Sequence, residues 1–209
     1  VIGGEEIKSV NIVPPGSELH EFQLNPRHAK ALRQSDLIVA INPQLESWLS
    51  TWSHANPDKS VLWLFPGDTN PHVWLDAEEV KKMLDRLAEE LGKKHGVNNA
   101  QVNELKYVTN IVKVDMELKS LFAQLPADHR RFISQHANLD RLALRYGLEI
   151  ADTLQAKGAA ETADPSARRY SELLTLLRSR KIKVIVTDAG QNDGFARRLC
   201  GDAGIPPPT

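Results

Sequence analysis

The sequence predicts an α/β protein made of two small lobes with mostly parallel sheets, joined by a long connecting helix. Two observations carry this. Short β-branched runs alternate with helix-period segments on both sides of the chain's middle, the pattern of strand–helix–strand units. Between the halves, residues 97 to 126 hold Leu105, Val108, Val112, Met116 and Leu121 at roughly helical spacing, with no internal Pro or Gly. About 25 such residues span ~35 Å, long for a domain of this size and suited to a connector. The expected divisions are 1–97 for an N-terminal α/β lobe, 98–125 for the connecting helix and 126–209 for a C-terminal α/β lobe.

In chain order, IKSVNIV (7–13) alternates and is β-branched, so a strand is expected there, broken by PPGS. NPRHAKALRQSD has a helical period with Pro near its start, DLIVAIN (36–42) is the next strand, and QLESWLSTW is a short helix. VLWLF (61–65) reads as a buried strand. From Asp76 one helix follows, with acids in its first turn and Lys93, Lys94 and His95 in its last, the order the helix dipole favours; Gly96 ends it. After Pro126 come strand RRFISQ, helix ANLDRLALRYG, strand LEIADT, polar loop KGAAETADPSA, helix RRYSELLTLLRSR, strand IKVIVT and helix GFARRLCGDAG. Each lobe then has three strands.

Composition narrows the partners. The 209 residues are 41% hydrophobic and 25% charged, enough for a sizeable core, and 26 basic residues nearly balance 27 acidic ones. That balance argues against nucleic acid or an anionic membrane surface. No run of about 18 apolar residues exists, so no direct membrane insertion is expected, and VIGGEEIKSV lacks the features of a signal peptide. The single cysteine, Cys200, excludes an intramolecular disulfide and a Cys-rich zinc site, and reads as a small hydrophobe on a helix face. Trp48, Trp52, Trp63 and Trp74 fall in apolar contexts that suit core packing.

Seven histidines are present. His28, His54, His95 and His129 lie in helix, loop or turn contexts where solvated or capping roles suffice. His20, His72 and His136 follow predicted strands, as does Asp188. Ligands of open α/β sheets bind outside the carboxyl ends of strands, and two of these residues come from each lobe, so a metal cleft between lobes is expected. Three imidazoles and one carboxylate suit tetrahedral Zn2+. Singly, His72 also reads as a satisfied buried histidine and Asp188 as a loop acid or helix cap.

IVPPGSELHEFQLNPRHAKALRQSDLIVAINPQLESWL, NPHVWLD, FISQHANLDRLALRYGLE and VIVTDAG, in that order, resemble the zinc and manganese solute-binding proteins of bacterial ABC transporters. The resemblance implies two α/β lobes joined by a long rigid helix, one transition-metal ion, and ligands at His20, His72, His136 and Asp188. A histidine at the third position goes with zinc in that family and a glutamate with manganese, so zinc is expected over Mn2+. Asn70 stands where the family usually has Asp, and the His-rich acidic loop of some members is missing between Trp48 and His72. Family members also begin before VIGGEEIKSV and continue past GDAGI, so the C-terminal lobe is expected to be incomplete.

The expected function is extracytoplasmic, periplasmic capture of Zn2+ by a monomer and delivery to a membrane ABC permease, without enzymatic activity. Affinity should fall as imidazoles protonate below about pH 6.5, with Asp188 the most mobile ligand. Alternatives are Mn2+ transport, a zinc hydrolase using Glu18 or Asp140 as base, or an adhesin.

Overall fold

The computed structural model describes residues 1–15, 17, 19, 22–67, 70–155, 165–189 and 192–208. The chain divides into two compact units, Val1–Lys113 and Val114–Thr209.

The first unit contains α1 (Pro26–Gln34), β1 (Ile38–Ala40), α2 (Ser47–Ala55), β2 (Val61–Trp63) and α3 (Ala77–His95). Helix α1 starts with a capping box: the Asn25 side chain accepts from His28 N–H, and the His28 ring accepts from Asn25 N–H. Asp76 caps α3 by accepting from Glu78 N–H, and Gly96 closes it with φ 66°, where a side chain would be strained. Strands β1 and β2 pair in parallel, Ile38 opposite Val61 and Ala40 opposite Trp63. Their inner face joins Leu32, Leu49 and Trp52 in one core, and Ile2, Ala88, Leu91, Val97 and Ala100 form another.

Three expectations are corrected here. Residues 7–13 form no strand. Their alternation is real, but a strand exists only where a neighbour completes its ladder, and Ile7 and Val10 are exposed while only Ile12 reaches the core. This unit therefore has two strands among the described residues. VLWLF is half-buried along β2, in a sheet of two strands among the described residues. Trp74 is 38% exposed, unlike the buried Trp52.

Helix α4 (Ala100–Ala123) is continuous, and the division between the units falls within it. Its 24 residues correspond to about 36 Å. The second unit holds the rest of α4, then β3 (Arg131–Ser134), α5 (Asp140–Tyr146), β4 (Glu149–Thr153), α6 (Ala167–Ser179), β5 (Ile185–Val186) and α7 (Gly194–Ala203). The sheet order is β4-β3-β5, all parallel. Ile133, Leu173, Leu177, Ile182, Ile185, Leu199 and Cys200 make its core. Cys200 is buried there, and burial pushes its thiol pKa up, consistent with an inert packing role.

Where α4 packs on α5, Asp115 accepts from Arg145 Nε at 2.6 Å and Nη2 at 2.7 Å, and from Tyr146 Oη at 3.1 Å. Lys119 Nζ adds an ion pair at 2.9 Å. No described helix is long and apolar enough to cross a membrane.

Candidate metal centre

Of the residues singled out in the sequence, His72, His136 and Asp188 each lie in the segment that follows a strand. In the first unit, β2 leads into residues 64–76. Leu64 and Phe65 extend the ladder by donating to Ala40 and Ile41 carbonyls at 2.8 Å each. A buried polar knot then holds the chain: Asn42, fully buried, donates through Nδ2 to the carbonyls of Phe65 (2.7 Å) and Gly67 (2.6 Å). Glu46 steadies Asn42 by accepting from the backbone N–H groups of Ile41 and Asn42 at 2.8 and 2.9 Å. Burial raises the Glu46 pKa, opposed by those two hydrogen bonds.

His72 follows this anchored segment. Asn70 Oδ1 accepts from His72 N–H at 3.0 Å, an Asx turn, and lies 2.6 Å from His72 Nδ1. The ring sits edge-on to Trp74, with centroids 5.3 Å apart. His72 is half-buried and is not a fully packed core histidine.

In the second unit, three neighbouring parallel strands end together. Beyond β3 comes His136, beyond β4 Gln155, and beyond β5 Asp188. His136 is 7% exposed, and its Nδ1 lies 3.0 Å from Gln155 Oε1. Its Nε2 is buried without a hydrogen-bond partner among the described residues and stands 3.4 Å from Asp188 Oδ2. The Asp188 carboxylate accepts from Asn138 Nδ2 at 3.1 and 3.2 Å, and Asp188 N–H donates to Gln135 Oε1 at 3.1 Å. Hydroxyls hold the strand ends themselves: Ser134 donates to the His136 carbonyl at 2.7 Å, and Thr153 to that of Gln155 at 2.6 Å.

The structure thus brings His136 and Asp188 together, while His72 belongs to the other unit. His20 and Glu18 lie outside the described residues, and so does most of the polar loop after β4. Among the described residues, no three His, Cys, Asp or Glu side chains form a group able to hold a metal ion. Asp188 is not the cap of the following helix; Asp193 occupies that position of α7. The group beside His136 Nδ1 is the Gln155 side-chain amide, with Oε1 at 3.0 Å. The remaining described histidines serve locally. His28 caps α1, the His54 ring lies 2.6 Å from the Ser50 carbonyl, His95 ends α3, and His129 pairs with Lys183 Nζ at 3.1 Å.

Gln135, Asn138 and Gln155 escaped the reading of the sequence. Side-chain amides carry no metal-ligand signature, and only the position of Gln155 two residues past β4, as His136 lies two past β3, pointed to it.

Fold and side chains together define a class: α/β units that present imidazole and carboxylate groups at the carboxyl ends of parallel strands. The family model described as zinc-uptake complex component A, periplasmic, matches residues 1–209, and the chain belongs to that family. The zinc-binding lipoprotein AdcA of Streptococcus pneumoniae is 22% identical over 231 residues, covering 98% of this chain and 45% of AdcA. The chain therefore spans less than half of that relative's length. Among solved structures, ZnuA superposes with a TM-score of 0.85 at 21% identity, covering 98% of this chain and 82% of ZnuA. A mutant of the laminin-binding adhesin of Streptococcus agalactiae superposes with a TM-score of 0.80 at 20% identity, covering 98% and 81%. At these identities the superpositions establish the fold.

Proposed function

We propose that this chain captures Zn2+ outside the cytoplasm and delivers it to a membrane ABC permease, with His20, His72, His136 and Asp188 as the ligands. One observation carries the reading. A buried imidazole nitrogen, His136 Nε2, has no described hydrogen-bond partner and faces a carboxylate oxygen at 3.4 Å. With Gln155 Oε1 accepting from Nδ1–H, the neutral ring keeps its lone pair on Nε2, on the side of Asp188. Lone pair and carboxylate repel unless a proton or a metal cation stands between them, and imidazole with carboxylate is a donor pair that suits a divalent metal.

Imidazole-rich ligation suits Zn2+, while harder oxygen sites suit Mn2+, so zinc is the cargo. The periplasmic zinc-uptake description of the family agrees with this, as does the zinc in the name of the AdcA relative. The protein acts as a monomer that passes its ion to the permease.

Calorimetric titration of the metal-free chain with Zn2+, repeated in competition with Mn2+, tests the proposal. Zinc should bind and displace manganese, and His72→Ala should bind zinc at least about 100-fold more weakly, the upper end of what losing a mere supporting contact costs. A chain that takes up no zinc, or a His72→Ala variant as tight as the parent, defeats it.

A further inference from the structure

Each of the two described candidate ligand histidines has a side-chain amide oxygen beside its Nδ1. His72 Nδ1 lies 2.6 Å from Asn70 Oδ1, and His136 Nδ1 lies 3.0 Å from Gln155 Oε1. At Asn70 the orientation of the amide is forced, because the same oxygen accepts from His72 N–H at 3.0 Å. A carbonyl oxygen only accepts, so Nδ1 must carry a proton, and the neutral ring then keeps its lone pair on Nε2. Imidazole in water favours the opposite tautomer. Both histidines therefore need their amide partner to present Nε2 as a donor to metal.

We propose that Asn70 and Gln155 form a matched pair of positioning residues, which fix the ligating tautomer of His72 and His136 and, as neutral carboxamides, keep zinc affinity below what carboxylates would give. A carboxylate accepting from Nδ1–H draws the proton further, making Nε2 a stronger donor, and adds a negative charge near the ion. A carboxamide orients the ring without either effect. Such backing fits a protein that must surrender its cargo. The affinity clause rests on the zinc reading above; the tautomer clause belongs to the metal-free protein and stands apart from it.

A merely structural role would be confined to the Asx turn at Asn70, and Asn70→Asp preserves that turn. The Oε1 atom of Gln155 is engaged with a ring nitrogen, and Gln155→Glu is close to isosteric. Two measurements on the full chain test the pair. Long-range 1H–15N correlation spectra of the metal-free protein at pH 8 should show Nδ1–H tautomers for both rings. Asn70→Ala and Gln155→Ala should each move their own ring toward the Nε2–H form. In chelator-competition titrations with Zn2+ alone, Asn70→Asp and Gln155→Glu should each tighten binding about 10-fold, and the alanine variants weaken it about 10-fold. Nε2–H tautomers in the wild type, or acidic variants no tighter than wild type, overturn the proposal. Both Nδ1–H tautomers without any zinc binding by the wild type would support the positioning role, while overturning the zinc reading and the affinity clause with it.

Discussion

Asp188 is asked to do two things that conflict. It accepts from Asn138 through both carboxylate oxygens, and its Oδ2 also stands 3.4 Å from His136 Nε2. With the ring neutral and its proton on Nδ1, the second contact is repulsive in metal-free protein, so a proposed ligand also weakens the fold around it. Asp188→Asn separates these effects. Its amide NH2 can donate to Nε2 while Oδ1 still accepts from Asn138, a gain of about 1 kcal/mol for one hydrogen bond. In excess chelator the variant should melt a few degrees higher than the parent, on the order of 2–4 °C for a chain of this length. With zinc, the stabilisation that the parent gains should largely vanish. A variant that melts lower than wild type in chelator would show that the carboxylate is structural. At this scale the sequence revealed the strand-end positions of His72, His136 and Asp188, because each follows a recognisable strand. It hid the amides that orient them, since an Asn or Gln in a loop looks the same whether it binds water or an imidazole.

Helices were legible through their period and their caps, as Asp76 and Gly96 demonstrate for α3. Strands were less so: IKSVNIV has the right alternation, yet pairing depends on a distant neighbour that no local pattern encodes. The ion cluster between α4 and α5 was equally invisible, because Asp115 and Arg145 are 30 residues apart and each resembles an ordinary helix-surface charge. In the structure both are largely buried, with side chains 8% and 11% exposed. The Arg145 guanidinium holds the Asp115 carboxyl well below the usual carboxylate range, with Lys119 and Tyr146 adding to the effect against burial. A depressed carboxylate pKa stabilises the fold above the unfolded-state value near ~4. That contribution is full at neutral pH and is lost as pH falls from there through the folded value. Asp115→Asn should therefore cost about 3 kcal/mol in urea unfolding at pH 7 and progressively less at pH 3 and below. Pairing it with Arg145→Met should recover part of the loss, since the destabilisation comes chiefly from stranding a buried charge. Equal losses at pH 7 and pH 2.5 would assign the effect to packing alone.

For the molecule as a whole, the question is whether the two units act on one ion or on two. His72 belongs to Val1–Lys113, and His136 with Asp188 belongs to Val114–Thr209. One shared ion and two separate sites give different binding arithmetic. If the ligands are shared, wild type binds one zinc per chain. His72→Ala and His136→Ala then each lower affinity without changing the number of sites reached at saturation. Their double variant loses less than the product of the single losses, because the first substitution already removes the geometry the second ligand completes. If the sites are separate, the wild type binds two ions, each single variant binds one with unchanged affinity, and the effects are independent. Thermal stability offers the same discrimination. An ion held by both units stabilises each by RT ln(1 + [L]/Kd), about 2.7 kcal/mol at a free concentration 100 times Kd, so zinc should raise the unfolding temperature of probes in both units together. His72→Ala should abolish the zinc-induced rise in the second unit as well as the first. Persistence of that rise, followed through the Tyr146 environment of the second unit, would place the metal on His136 and Asp188 alone and refute the shared ion.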